Sequence, residues 1–197
     1  MVRPRLLAIS GDLGSGKTTV AVRLAEQLGW TYAATGTFQR SLASQLGIDT
    51  HELNRRAAAD PSIDHLIDDQ VRRVSLQSGS FVVESRMGFH FFPDAFSVYL
   101  YCDLETAADR VLRAERSTES YSDLQSALAG LQSRRVNEIH RFKNLYDVDI
   151  GDLRNYSLSI DTTFATAAEV CTATQAVPYH SAAKFLGRDC TLKRDSD

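Results

Sequence analysis

The chain has 197 residues, of which 43% are hydrophobic and 24% charged, the profile of one compact domain with an ordinary core. Its formal net charge is -3, so the basic stripe of a general nucleic-acid binder is missing and any anion site must be local. The opening MVRPRLLAIS is too short an apolar run for a secretion signal, no later run is long enough to span a bilayer, and Cys102, Cys171 and Cys190 form no CxxC or metal-ligand spacing; a cytoplasmic protein with reduced thiols, contacting neither membrane nor nucleic acid, is expected.

RLLAIS reads as a buried first strand entering a Gly-rich loop. The helix behind that loop carries Val20, Leu24 and Leu28 at four-residue spacing and closes on Gly29. WTYAAT predicts a second strand, and TFQRSLASQLG a short helix with Phe38, Leu42 and Leu46 in register. Asp60 and Pro61 mark the cap and first position of a helix that buries Ile63, Leu66, Ile67, Val71 and Val74. FVVE and SVYLYC read as central parallel strands. LETAADRVLRAER predicts a helix, STESYSD a polar loop, and LQSALAGLQSRRVNEIHRFKNLY a long helix with an irregularity at Gly130. YSLSIDTT supplies a fifth strand and TAAEVCTATQAV a last helix. Alternating strands and helices imply an α/β domain, a five-stranded parallel sheet flanked by helices, over residues 1–175. Residues 176–197 read as a polar, partly disordered tail.

Gly11, Gly16, Lys17 and Thr18 satisfy G-x-x-x-x-G-K-[ST] between a strand and a helix, as phosphate binding requires. The glycines let backbone N–H groups converge on phosphate oxygens, and the helix N-terminus adds partial positive charge. Lys17 is placed to bridge the outer phosphates of a triphosphate, and Thr18 to ligate Mg2+. A carboxylate wanted beside that metal is found in Glu84, at the end of FVVE.

This loop alone leaves a switch, a motor or a kinase open. Asp-x-x-Gly and Asn-Lys-x-Asp, needed by a guanine-nucleotide switch, are not found together with it, and FVVES is a poor match to the acidic strand of a motor. Phosphoryl transfer needs in-line positioning and positive charge rather than covalent chemistry, so arginines outside the loop are informative. Arg40 follows the second strand, and Arg86 lies two residues beyond Glu84. Arg134 and Arg141 are seven apart on the long helix, about 20 degrees apart around its axis, with Glu138 between them on nearly the same face. An apolar stripe of Leu128, Leu131, Ile139, Phe142 and Tyr146 is expected about 100 degrees away. Arg135 projects onto that stripe with no role. Phe89, Phe91 and Phe92 are expected to pack in the core.

In SGDLGSGKTTVAVRLAEQLG, TGTFQRSLASQLGI, DPSIDHLIDDQ, FVVESR, RRVNEIHRFKNLYDVDIGDL and SIDTT the chain resembles the nucleoside monophosphate kinases, and most closely the short cytidylate kinases. The resemblance reaches about Val170 and implies a P-loop NTPase fold with small acceptor-binding and lid segments, the first about 37–80 and the second about 113–134. It implies that ATP binds through Gly11, Gly14, Ser15, Gly16, Lys17, Thr18 and Thr19, with Asp161 near the adenine. Arg40, Arg86, Thr35 and Gly36 would hold the acceptor, and Glu84 would organise Mg2+ together with Thr18. Arg134 and Arg141 would contact the phosphates in transfer, and Glu138 would hold a nucleotide hydroxyl or an arginine. The implied reaction gives CDP or dCDP and ADP from ATP and CMP or dCMP, by a monomer. A modified nucleotide or a small metabolite alcohol is the alternative acceptor, and an ATP-binding regulatory protein the alternative class. Two positions depart from the family pattern: Ser85 stands where Glu-Gly-Arg is usual, and Ser157 where Tyr-Asp-Leu is common.

Overall fold

The computed structural model describes residues 5–114, 121–177 and 189–191. In chain order the elements are β1 (Arg5–Gly11), α1 (Lys17–Leu28), β2 (Thr31–Ala34), α2 (Thr35–Gln45), α3 (Thr50–Ala59), α4 (Pro61–Arg73), β3 (Ser80–Glu84), α5 (Gly88–Phe91), β4 (Phe96–Tyr101), α6 (Leu104–Arg113), α7 (Leu124–Tyr146), β5 (Leu158–Asp161), α8 (Ala167–Ala176) and β6 (Asp189–Thr191). Among these residues the strands form one parallel sheet in the order β2-β3-β1-β4-β5-β6. The five expected strands are all present. The sixth, Asp189–Thr191, comes from the segment read as a partly disordered tail; residues 178–188 and 192–197 lie outside the described residues.

Alternation along the strands divides the core. Val82, with Leu7, Ile9, Val98, Leu100 and Ile160, faces α1 and α8, where Val20, Leu24, Val170 and Cys171 complete the cluster. Its neighbours Phe81 and Val83 point the other way, onto Val71, Val74 and Phe92. Phe92 is therefore core, Phe91 packs against the same cluster, and the Phe89 ring lies 4.7 Å from that of Tyr156. Ala43, Leu53 and Ile67 make a separate small core among α2, α3 and α4.

Helix ends follow the capping chemistry of the sequence. Asp60 accepts from Ser62 N with Pro61 at the first turn of α4. Asp123 and Ser126 form a capping box that starts α7, which runs unbroken through Gly130; the expected irregularity is not there. Gly130 instead lets the Tyr121 ring lie against the helix. Helix α3 was not anticipated, because among the described residues Leu53 and Ala57 alone give it a buried apolar face; its visible signal is Asp49, which accepts from Glu52 N. The polar loop assigned to the lid lies largely outside the described residues, at 115–120. No helix among the described residues is long and apolar enough to cross a membrane.

Candidate functional site

β1 has β3 on one side and β4 on the other, so connections leave it in opposite directions and a crevice opens beyond the strands' C-terminal ends. A cavity of about 910 Å³ occupies that crevice and runs from the phosphate loop to α2 and α4. The loop's geometry requires its glycines: Gly14 has φ +75°, and a Cβ there would lie 2.7 Å from backbone atoms of Ala107 in α6. Gly14, Ser15, Gly16, Lys17, Thr18 and Thr19 all line the cavity. Gly11 does not; its carbonyl accepts a hydrogen bond from Arg86 Nη1.

Lys17 Nζ donates to the Asp12 carbonyl inside the loop. Burial, and then the charge of Arg86, push its amine well below the usual lysine range. Register pairs Glu84 with Ile9 and with Ala34, setting its carboxylate at the mouth of the loop. There Glu84 Oε1 accepts from Thr18 Oγ1 at 3.0 Å, and Oε2 from Tyr32 OH at 2.6 Å. The two residues expected to share a metal therefore do meet, as a hydroxyl and a carboxylate. This is a hard oxygen pair of the kind that would suit Mg2+. Among the described residues no cluster of three or more His, Cys, Asp or Glu offers another metal centre.

Arg86, Arg134 and Arg141 all line the cavity. Arg86 Nε donates to Glu138 Oε2 at 2.7 Å, and Arg134 Nε to Glu138 Oε1 at 3.2 Å. Of the two partners left open for Glu138, the structure has it holding arginines. Burial opposes its charge, yet Arg86 and Arg134 keep its carboxyl below the usual range. Arg141 is taken by Asp64 of α4, with Nε 2.8 Å from Oδ2 and Nη2 on Oδ1. Arg40, Thr35 and Gly36 line the cavity at its α2 end, and Arg40 Nη2 donates to Thr37 Oγ1 at 3.2 Å. The Thr35 Oγ1 atom is buried without a hydrogen-bond partner among the described residues.

Three placements differ from expectation. Asp161 does not line the cavity: its carboxylate accepts from Thr163 N and Oγ1, bracing its own turn, and Thr162 faces the cavity instead. Phe142 and Tyr146 do not extend a core stripe; Phe142 lines the cavity, and Tyr146 OH donates to Asp68 Oδ2. Arg135 is not idle, since it ion-pairs with Asp12. The hydroxyl of Ser85 accepts from Met87 N at 3.3 Å, so the side chain at the usual glycine position serves the turn after β3.

Sequence reasoning also missed Arg110. It donates to the Thr162 carbonyl at 2.6 Å and to that of Gly14 at 3.3 Å, tying α6 to the loop after β5 and to the phosphate loop. Its place in LETAADRVLR, on a helix otherwise read by its apolar face, gave no signal of those backbone partners.

The model of the cytidylate kinase-like family matches residues 6–164. The cytidylate kinase of Methanothrix thermoacetophila is 35% identical over 157 residues, covering 80% of this chain and 88% of that one. An S-adenosylmethionine-dependent nucleotide dehydratase of Lacinutrix mariniflava is 34% identical over 165 residues, covering 83% of this chain; the chain spans 34% of that protein's length. Among solved structures, shikimate kinase from Bacteroides thetaiotaomicron superposes with a TM-score of 0.60 at 11% identity, covering 87% of this chain and 95% of that one, which is a likeness of fold.

Proposed function

The chain belongs to the cytidylate kinase-like family, and from that premise we propose that it transfers the γ-phosphate of ATP to a pyrimidine nucleoside monophosphate, CMP or dCMP, giving CDP or dCDP and ADP. The reading rests on one observation. The phosphate loop and a second set of cations, Arg40, Arg86, Arg134 and Arg141, open on the same cavity. A switch or a motor needs charge around one nucleotide; a transferase needs it around two substrates.

The donor triphosphate lies along Gly14 to Thr19 in this reading, with its γ-phosphate between Lys17 and the arginines of α7. Thr18 and Glu84 hold Mg2+, which when bound offsets phosphate charge. Arg40 and Arg86 take the acceptor's phosphate from the α2 side, where it is in line with the γ-phosphate. Arg134 and Arg141 stabilise the equatorial oxygens as charge shifts during transfer. Glu84 is assigned to the metal, and Glu138 to orienting Arg86 and Arg134. The dehydratase named above is matched over about a third of its length, so its activity is not assigned to this chain.

The test is ADP release with CMP, dCMP, UMP, AMP, shikimate and no acceptor. Turnover with cytidine nucleotides is expected, falling by several orders of magnitude in Lys17→Ala while the protein stays folded. A normal rate in that variant refutes the assignment, turnover only with another acceptor moves it to the metabolite alternative, and ATP binding without turnover to the regulatory one.

A further inference from the structure

The acceptor end of the cavity contains two aspartates that the phosphate chemistry does not use. Asp64 and Asp68 are four apart on α4, on one helix face, and are only 5% and 7% exposed. Buried carboxylates of this kind need partners. Asp64 has both oxygens occupied by the Arg141 guanidinium, which makes it a positioning group for that arginine. Asp68 is different. Tyr146 OH occupies Oδ2, and among the described residues nothing hydrogen-bonds Oδ1, while the side chain lines the cavity.

Ile67, Met87 and Phe142 are among the apolar residues that line the same cavity. An open carboxyl oxygen on the wall of a cavity that also has apolar lining suits a ring that presents an N–H at its edge. Of the two common pyrimidines, cytosine has an amino group at the 4-position next to an unprotonated ring nitrogen; uracil has a carbonyl oxygen at the 4-position, which a carboxylate repels. Burial raises the Asp68 carboxyl to about 6, so above that pH Oδ1 belongs to a carboxylate, which accepts the amino N–H and has no proton to offer the uracil carbonyl.

We infer that Asp68 is the specificity-determining residue of the acceptor site, accepting the exocyclic amino group of a cytosine and rejecting uracil. The inference rests on the kinase reading above and adds to it which atom reads the base.

The experiment measures kcat/KM for CMP and for UMP, with ATP and Mg2+, on the full chain and on Asp68→Asn. The wild type is expected to prefer CMP. In the variant the carboxamide can turn an N–H toward the uracil carbonyl, and the CMP to UMP ratio is expected to fall about ten- to a hundredfold, the range for a hydrogen bond to a charged group. Both substrates are assayed on one preparation, so a partly misfolded variant leaves the ratio meaningful. Tyr146→Phe, which frees Oδ2, is expected to change the same ratio less. An unchanged ratio in Asp68→Asn, or a wild type that uses UMP as well as CMP, overturns the inference and leaves the kinase reading standing. A wild type that phosphorylates neither nucleotide overturns both.

Discussion

Arg135 of α7 is ion-paired with Asp12 inside the phosphate loop, and the same Asp12 oxygen accepts from Tyr99 OH at 2.7 Å. α7 carries Arg134, Glu138 and Arg141, so the pair fixes the spacing between the donor loop and the cations that meet it. Arg135→Gln is expected to lower kcat about tenfold with little change in KM for either substrate, because small misplacements penalise the transition state most. Asp12→Asn should do the same, and the double variant little more than either alone. Steady-state kinetics on the four proteins checks this; additive losses would refute a shared joint.

Glu138 joins Arg86 and Arg134, each within 3.2 Å. In Glu138→Gln two cations lose a mutual counter-charge, and stability to urea is expected to fall by about 2 kcal/mol. ATP with Mg2+ should restore more stability to this variant than to the wild type, since phosphate oxygens can replace the carboxylate. Urea titrations with and without nucleotide measure the difference.

Gly14→Ala is expected to abolish nucleotide binding and to lower the melting temperature. The φ of +75° disfavours a side chain, and the new Cβ would meet Ala107 backbone at 2.7 Å. Because backbone atoms are in the way, Ala107→Gly should not rescue it. Fluorescent-nucleotide titration and thermal melts of both variants test the point.

The Asp68 carboxyl titrates near 6 in the fold, against about 3.9 in an unfolded chain. The folded state then holds the extra proton between those values, and stability contributed by this group falls as pH rises from about 4 to about 6. Burial is the main cause; Asp64 adds to it, while Tyr146, Arg72 and His65 oppose it. Asp68→Asn should gain on the wild type across that window and run parallel to it above. Urea denaturation at half-unit pH steps is the measurement.

What could be read from sequence was what depends on neighbours along the chain. Lys17 and Thr18 belong to one contiguous motif, Glu84 ends a recognisable strand, and Asp60 with Pro61 marks a helix start in two residues. Arg134, Glu138 and Arg141 follow from helical periodicity alone. Arg135 was unexplained because its partner, Asp12, is more than a hundred residues away and meets it only once α7 crosses the loop. Arg110 binds carbonyls, which every residue has, and leaves no signature in composition. Both acids of α4 lie in DPSIDHLIDDQ, one of the segments that carry the resemblance, but the division between a saturated Asp64 and an open Asp68 needs Arg141 and Tyr146 in place. β6 is three residues long, too short for periodicity to announce.

The cations that line the cavity are already held by the chain's own oxygens: Lys17 by the Asp12 carbonyl, Arg86 by Glu138, Arg141 by Asp64. A phosphate that binds there must substitute for an existing partner rather than meet a bare charge. An anion that reaches a single cation trades one contact for another and gains little. A triphosphate facing a monophosphate can replace several partners together, so these internal pairings filter ligands by valence, favouring two nucleotides arranged end to end over sulfate or free phosphate.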